Sequence, residues 1–110
     1  MSIRSHEDDI EFESAGNHKG GALIDASNGA ANGFSMGISY YNDEEYGEPG
    51  IHNDQEGFYV LEGTGTARFG DEDFEIFPGS GFIAHAGVPH SIKKAPGSKH
   101  VKVLWCHDAI

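Results

Sequence analysis

The sequence predicts a single all-β domain, built as a sandwich or a barrel. Apolar residues alternate with small or polar ones over short runs, as in Phe34-Ser35-Met36-Gly37-Ile38-Ser39-Tyr40. Turn signals built from Gly, Pro, Asn and Asp return every eight to twelve residues. No segment sustains the 3.6-residue period of an amphipathic helix, and no internal repeat is visible. A chain of 110 residues fits one domain around one core.

Residues 1–20 are acidic and mostly polar, with a short alternating piece at Ile10-Glu11-Phe12-Glu13, and read as an N-terminal arm or edge strand. Residues 21–110 form the domain proper. Its first part, to Gly33, is rich in Gly, Ala, Asn and Ser, with Ala22-Leu23-Ile24 as a short strand between loops. Phe34 to Tyr40 is a half-buried strand, and the acidic loop from Asn42 to Pro49 follows. Phe58 to Leu61 is apolar and closes on a turn at Gly63. Thr64–Phe69 and Phe74–Phe77 are the arms of a hairpin turning at Gly70-Asp71. Phe82–His85, His90–Lys93 and Val101–Cys106 are three further strands, separated by Ala86-Gly87-Val88-Pro89 and Ala95-Pro96-Gly97.

Seven Lys and Arg against eighteen Asp and Glu leave a formal net charge of −11. Long-range repulsion disfavours nucleic acid and anionic membrane surfaces as partners. It also weighs against a strongly anionic substrate, unless a bound cation reverses the local field. One cysteine, Cys106, permits no internal disulfide and reads as a small buried hydrophobe. Nothing resembles a signal peptide, and no apolar stretch approaches the ~20 residues of a membrane span, so a cytoplasmic location is expected.

Seven histidines stand at 6, 18, 52, 85, 90, 100 and 107. His52 and Glu56 draw attention first, because both are good ligands for a divalent metal. On a straight strand they would lie roughly 13 Å apart. Sharing an ion therefore requires the chain to fold back between them, and Asn53-Asp54 is turn chemistry that allows it. Gly50, Gly57 and the aromatic, β-branched run after them favour a loop feeding a strand over a helix.

The segments Gly50–Gly63 and Gly79–His90 resemble the two motifs of the cupin superfamily, small double-stranded β-helix (jelly-roll) barrels. His52, Glu56 and Gly63 fall on the second histidine, the glutamate and the glycine of the first motif. Gly79, Gly87 and His90 fall on two glycines and the histidine of the second. Fifteen residues separate Gly63 from Gly79, a short connection of the kind small microbial cupins have. The resemblance implies a cupin barrel, a homodimer, and a divalent transition metal (Fe, Mn, Zn, Ni or Co) held by His52, Glu56 and His90. Two histidines and a carboxylate resemble a facial ligand set with open positions.

Three positions depart from the pattern. Gly50 stands where the first metal histidine would be, His85 replaces the proline of the second motif, and Lys94 replaces its final asparagine. His85 is the candidate fourth ligand or catalytic base. Against that role, a strand pointing Phe82 and Ala84 inward turns His85 outward. His107 shares strand parity with Val101, Val103 and Trp105, His100 has the opposite parity, and both read as structural. His6 and His18 fall in the arm and read as exposed. Tyr40, Tyr41, Phe58 and Trp105 read as core, interface or pocket wall. The functional expectation is a metal-dependent enzyme, a dioxygenase or isomerase, acting on a small oxygen-bearing molecule. The competing expectation is a non-catalytic module binding a small molecule such as a carbohydrate.

Overall fold

A computed structural model describes residues 2–109. Among the described residues, nine strands run β1 (Glu13–Ala15), β2 (His18–Ile24), β3 (Ser35–Tyr41), β4 (Glu56–Glu62), β5 (Gly65–Phe69), β6 (Glu72–Ile76), β7 (Gly81–Ala84), β8 (His90–Lys94) and β9 (Val101–His107). Two short 3-10 turns, Glu7–Asp9 and Ala26–Asn28, are the helical pieces. The strands form a six-stranded sheet, ordered β1-β2-β3-β9-β4-β7, and a three-stranded sheet, β6-β5-β8. Every named pairing is antiparallel. The expected all-β jelly-roll barrel is therefore the observed fold. No helix of the described residues is long and apolar enough to cross a membrane.

Alternation decides what faces in. In β4, Glu56, Phe58 and Val60 are buried while Tyr59 and Leu61 are exposed. In β9, Val101 and Val103 are fully buried, and they meet Ala67, Ile76 and Ile92 from the smaller sheet. Above this aliphatic layer, Phe58, Phe69, Phe74 and Phe82 pack together, with Phe58 and Phe82 stacked at 5.2 Å. This aromatic layer ends where the histidines begin. The His90 ring lies 5.5 Å from that of Phe69 and 5.9 Å from that of Phe58.

Two glycines have structural duties. Gly70 takes a φ of 65° in the two-residue turn between Phe69 and Glu72, as the hairpin signal predicts. Gly63 takes a φ of 84° and lies so close to the His100 carbonyl that any side chain would collide with it.

The N-terminal segment lies on the outer side of the larger sheet. The Phe12 and Tyr40 rings meet edge to face at 5.4 Å, and Ile10 covers Gly21. The strand itself falls three residues later than the alternating piece suggests, at Glu13–Ala15, where Glu13, Ser14 and Ala15 pair with Gly20, Lys19 and His18.

Candidate metal centre

The centre is assembled by three segments at one end of the barrel. The loop before β4 carries His52 and Asp54, β4 begins at Glu56, and β8 begins at His90. Gly50 and His90 form an isolated antiparallel bridge, their main chains exchanging hydrogen bonds of 2.9 and 3.0 Å. The Gly87 N–H donates to the His52 carbonyl at 2.8 Å. These bonds tie the 50–55 loop to the smaller sheet and bring His52 and His90 within 4.9 Å, ring centre to ring centre. The chain does fold back between His52 and Glu56, as a shared site requires.

Glu56 Oε1 lies 3.0 Å from His52 Nε2 and 3.4 Å from His90 Nε2. Both rings are held from behind. His52 Nδ1 lies 2.7 Å from the Asp54 carboxylate and 3.0 Å from the Asp54 carbonyl, and His90 Nδ1 lies 3.0 Å from the Val88 carbonyl. Those partners can only accept, so each Nδ1 carries a proton and each Nε2 is turned inward. Two ring Nε2 atoms and a carboxylate then face one another, an arrangement that a cation or a shared proton satisfies. Ligands about 2.1 Å from one ion and at right angles lie about 3.0 Å apart, close to the observed spans. The donor set fits a divalent transition metal.

His90 shows the same pressure in its acidity. Burial lowers its pKa, but the hydrogen bonds to Glu56 and the Val88 carbonyl and the Glu56 charge outweigh burial and raise it overall. The buried Glu56 carboxylate needs a positive neighbour.

His107 joins this group, against the expectation that it is structural. It ends β9 directly opposite Glu56. Its Nδ1 lies 2.9 Å from Asp54 Oδ2, and its Nε2 lies 3.5 Å from Glu56 Oε2. Asp54 thus holds His107 through its carboxylate and His52 through its main-chain carbonyl. Its pKa is lowered although burial opposes this, because hydrogen bonding to His107 and the charges of His107 and His52 dominate. Strand parity was the available signal for His107, while nothing local marked Asp54 as more than a turn residue.

His85 is not brought to the site. It lies exposed in the turn after β7, while Ala84 is buried and Phe82 packs against the core. Strand alternation is the reason. Gly50, by contrast, does face the centre. A Cβ built on it would stand 3.2 Å from His90 Nε2, so the missing side chain leaves that flank open.

The centre forms one end of a cavity of about 430 Å³. Tyr41, Trp105 and His18 wall it, with Gly20, Gly21 and Ser39. His18 is therefore not an exposed arm residue. It pairs with Tyr41 across β2 and β3, its ring stacks on that of Tyr41 at 4.8 Å, and burial lowers its pKa. Burial, and secondarily the Glu56 charge, push the Tyr41 phenol well above its ordinary value. Gly37 lies against the Trp105 ring, where any side chain would displace it.

The cupin domain family matches residues 39–107, more than half of the chain. The chain belongs to the cupin domain family. No curated protein sequence matches this cupin. Among solved structures, the polyketide cyclase RemF from Streptomyces resistomycificus is similar with a TM-score of 0.83 at 24% identity, covering 97% of this chain and 79% of RemF. An Fe(II) form of HppE with an alternative substrate gives 0.82 at 15% identity, covering 97% of this chain and 60% of HppE. A mutant of Bacillus subtilis oxalate decarboxylase OxdC gives 0.81 at 14%, covering 98% of this chain and 29% of OxdC. At these identities the likeness is one of fold.

Proposed function

We propose that this cupin holds a divalent transition metal, one of Fe, Mn, Zn, Ni or Co, on His52, Glu56 and His90, and acts as an enzyme on a small oxygen-bearing molecule. One observation carries the reading. His52 Nε2, Glu56 Oε1 and His90 Nε2 converge while both Nδ1 atoms are engaged behind them, and the point of convergence opens into a cavity. When bound, the ion supplies Lewis acidity to substrate oxygens and leaves coordination positions free for them. The Asp54 and Val88 main-chain carbonyls fix the tautomers of the two ligand rings. Gly50 keeps the adjoining flank clear, and the Tyr41 hydroxyl remains a neutral donor beside the centre. The metal-dependent neighbour named with Fe(II), HppE, and the cyclase RemF support an enzyme of the oxygenase or isomerase kind on this scaffold.

The assembly we infer is a homodimer through the outward face of the larger sheet. Tyr59, Leu61 and Ile83 are 48%, 38% and 44% exposed there. Size-exclusion chromatography with light scattering tests this, and a monomer at micromolar concentration refutes it.

The enzyme reading is tested with protein reconstituted with Fe(II) or Zn(II) and offered diketones, thiols and catechols. Oxygen uptake or product formation that disappears in Glu56→Ala is expected. A fully metallated protein that turns over none of them is a binding module instead.

A further inference from the structure

The cavity wall beyond the metal donors has a chemistry of its own. Among the described residues it carries no lysine or arginine. Its charged side chains outside the centre are Glu13 and Glu48, both exposed, on a chain of net charge −11. Burial lowers the pKa of His18, which disfavours its charged form. A small dianion therefore meets repulsion on entry and finds no fixed cation within, apart from what the centre itself holds.

Beside small and polar residues such as Asn17, Ser39 and Ser91, the wall carries a flat aromatic part. Tyr41 and His18 stack with their planes 26° apart, and Trp105 stands nearby with its ring 5.5 Å from that of His107. Beside them in the same sheet, Gly20 lines the cavity without a side chain. A volume near 430 Å³ suits a ligand of one or more rings, far larger than a two-carbon acid. The Tyr41 hydroxyl makes no hydrogen bond to another described residue, and as a neutral phenol it can donate to a ligand oxygen.

We propose that the site takes uncharged, flat, ring-bearing molecules with adjacent oxygens, such as catechols or enolisable aromatic diketones, and discriminates against small dicarboxylates. Tyr41 donates a hydrogen bond to one of those oxygens, and Trp105 and the Tyr41–His18 pair stack on the ring. This rests on the reading of the cavity as the substrate site, but the wall's preference does not depend on the metal.

The sole tryptophan of the chain, Trp105, reports binding directly. Metal-free protein is titrated with 2,3-dihydroxynaphthalene and with oxalate while Trp105 fluorescence is followed, and its metal uptake is measured separately. The diol should quench saturably and bind at least about tenfold tighter than oxalate. Tyr41→Phe should weaken the diol by about tenfold, the size of one net hydrogen bond, and leave Trp105 emission of the free protein unchanged. Glu48→Lys should improve oxalate several-fold and hold the diol within about twofold. Absence of saturable quenching by the diol, oxalate binding as tight as the diol, or a Tyr41→Phe protein with unaltered diol affinity overturns the proposal. Protein that binds the diol yet takes up no metal overturns only the metal reading. Protein that takes up metal yet prefers oxalate overturns only this one.

Discussion

Replacing Asp54 with alanine removes the carboxylate that hydrogen-bonds His107 at 2.9 Å and lies 2.7 Å from His52 Nδ1 as a charge neighbour. The charge-assisted bond to His107 contributes about 1.5–3 kcal/mol in an intact protein. Loss of a carboxylate behind a ligand histidine usually weakens metal binding about 10- to 100-fold. Here the loss is limited, since the hydrogen bond from His52 Nδ1 goes to the Asp54 main-chain carbonyl at 3.0 Å and survives the substitution. His90 keeps its own carbonyl partner at Val88 and is untouched. The lower end of the range is therefore expected, about tenfold or about 1.4 kcal/mol. Asp54→Asn, which retains one acceptor oxygen, should lose less. Competition for Zn(II) against a chromogenic chelator at neutral pH reads the affinities, and circular dichroism confirms that the variants fold. A folded Asp54→Ala protein that binds Zn(II) as well as wild type would refute the role given to this carboxylate.

Three further outcomes are expected. Gly50→Ala places a methyl 3.2 Å from His90 Nε2, so metal affinity should fall about three- to tenfold while the melting temperature of the metal-free protein changes little; an unchanged affinity would mean that this flank is not part of the centre. His85→Ala should alter neither Zn(II) affinity nor thermal stability measurably, because the side chain is exposed and outside both histidine–carboxylate clusters; a tenfold loss in the chelator assay would restore it to the site. In metal-free protein the raised pKa of His90 stabilises the fold fully below the unfolded value of about 6.5 and ceases to do so as pH rises through the folded value. The melting-temperature advantage of wild type over His90→Gln should therefore shrink from about pH 6 to pH 9, while metal affinity rises over the same range as the competing proton leaves. A stability advantage that grows with pH would contradict the assigned shift.

Much of the fold was legible because its signals are local. Gly70-Asp71 marks a two-residue hairpin by backbone chemistry alone, and alternation in Glu56–Glu62 separates the buried face from the exposed one. Alternation likewise placed His85 outside and Val101, Val103 and Trp105 inside. What could not be read depends on register between distant strands. His107 had the right parity, but its contact with Glu56 exists only because β9 pairs with β4 so that these two residues stand opposite. His18 looked like part of a loose arm, yet the β2–β3 register sets it across from Tyr41 and into the cavity wall. Asp54 carried a turn signal that was correct and incomplete, since its second partner lies fifty-three residues away.

The central claim is that His52, Glu56 and His90 form one metal site, and metal analysis of protein purified without a histidine tag tests it most directly. The account predicts close to one divalent transition metal ion per chain in wild type, falling below about a tenth of that in both His52→Ala and His90→Ala, because two remaining donors no longer hold an ion against dilution. Full occupancy surviving both substitutions, or wild-type protein that retains no ion after exposure to Fe, Mn, Zn, Ni and Co in turn, would contradict it.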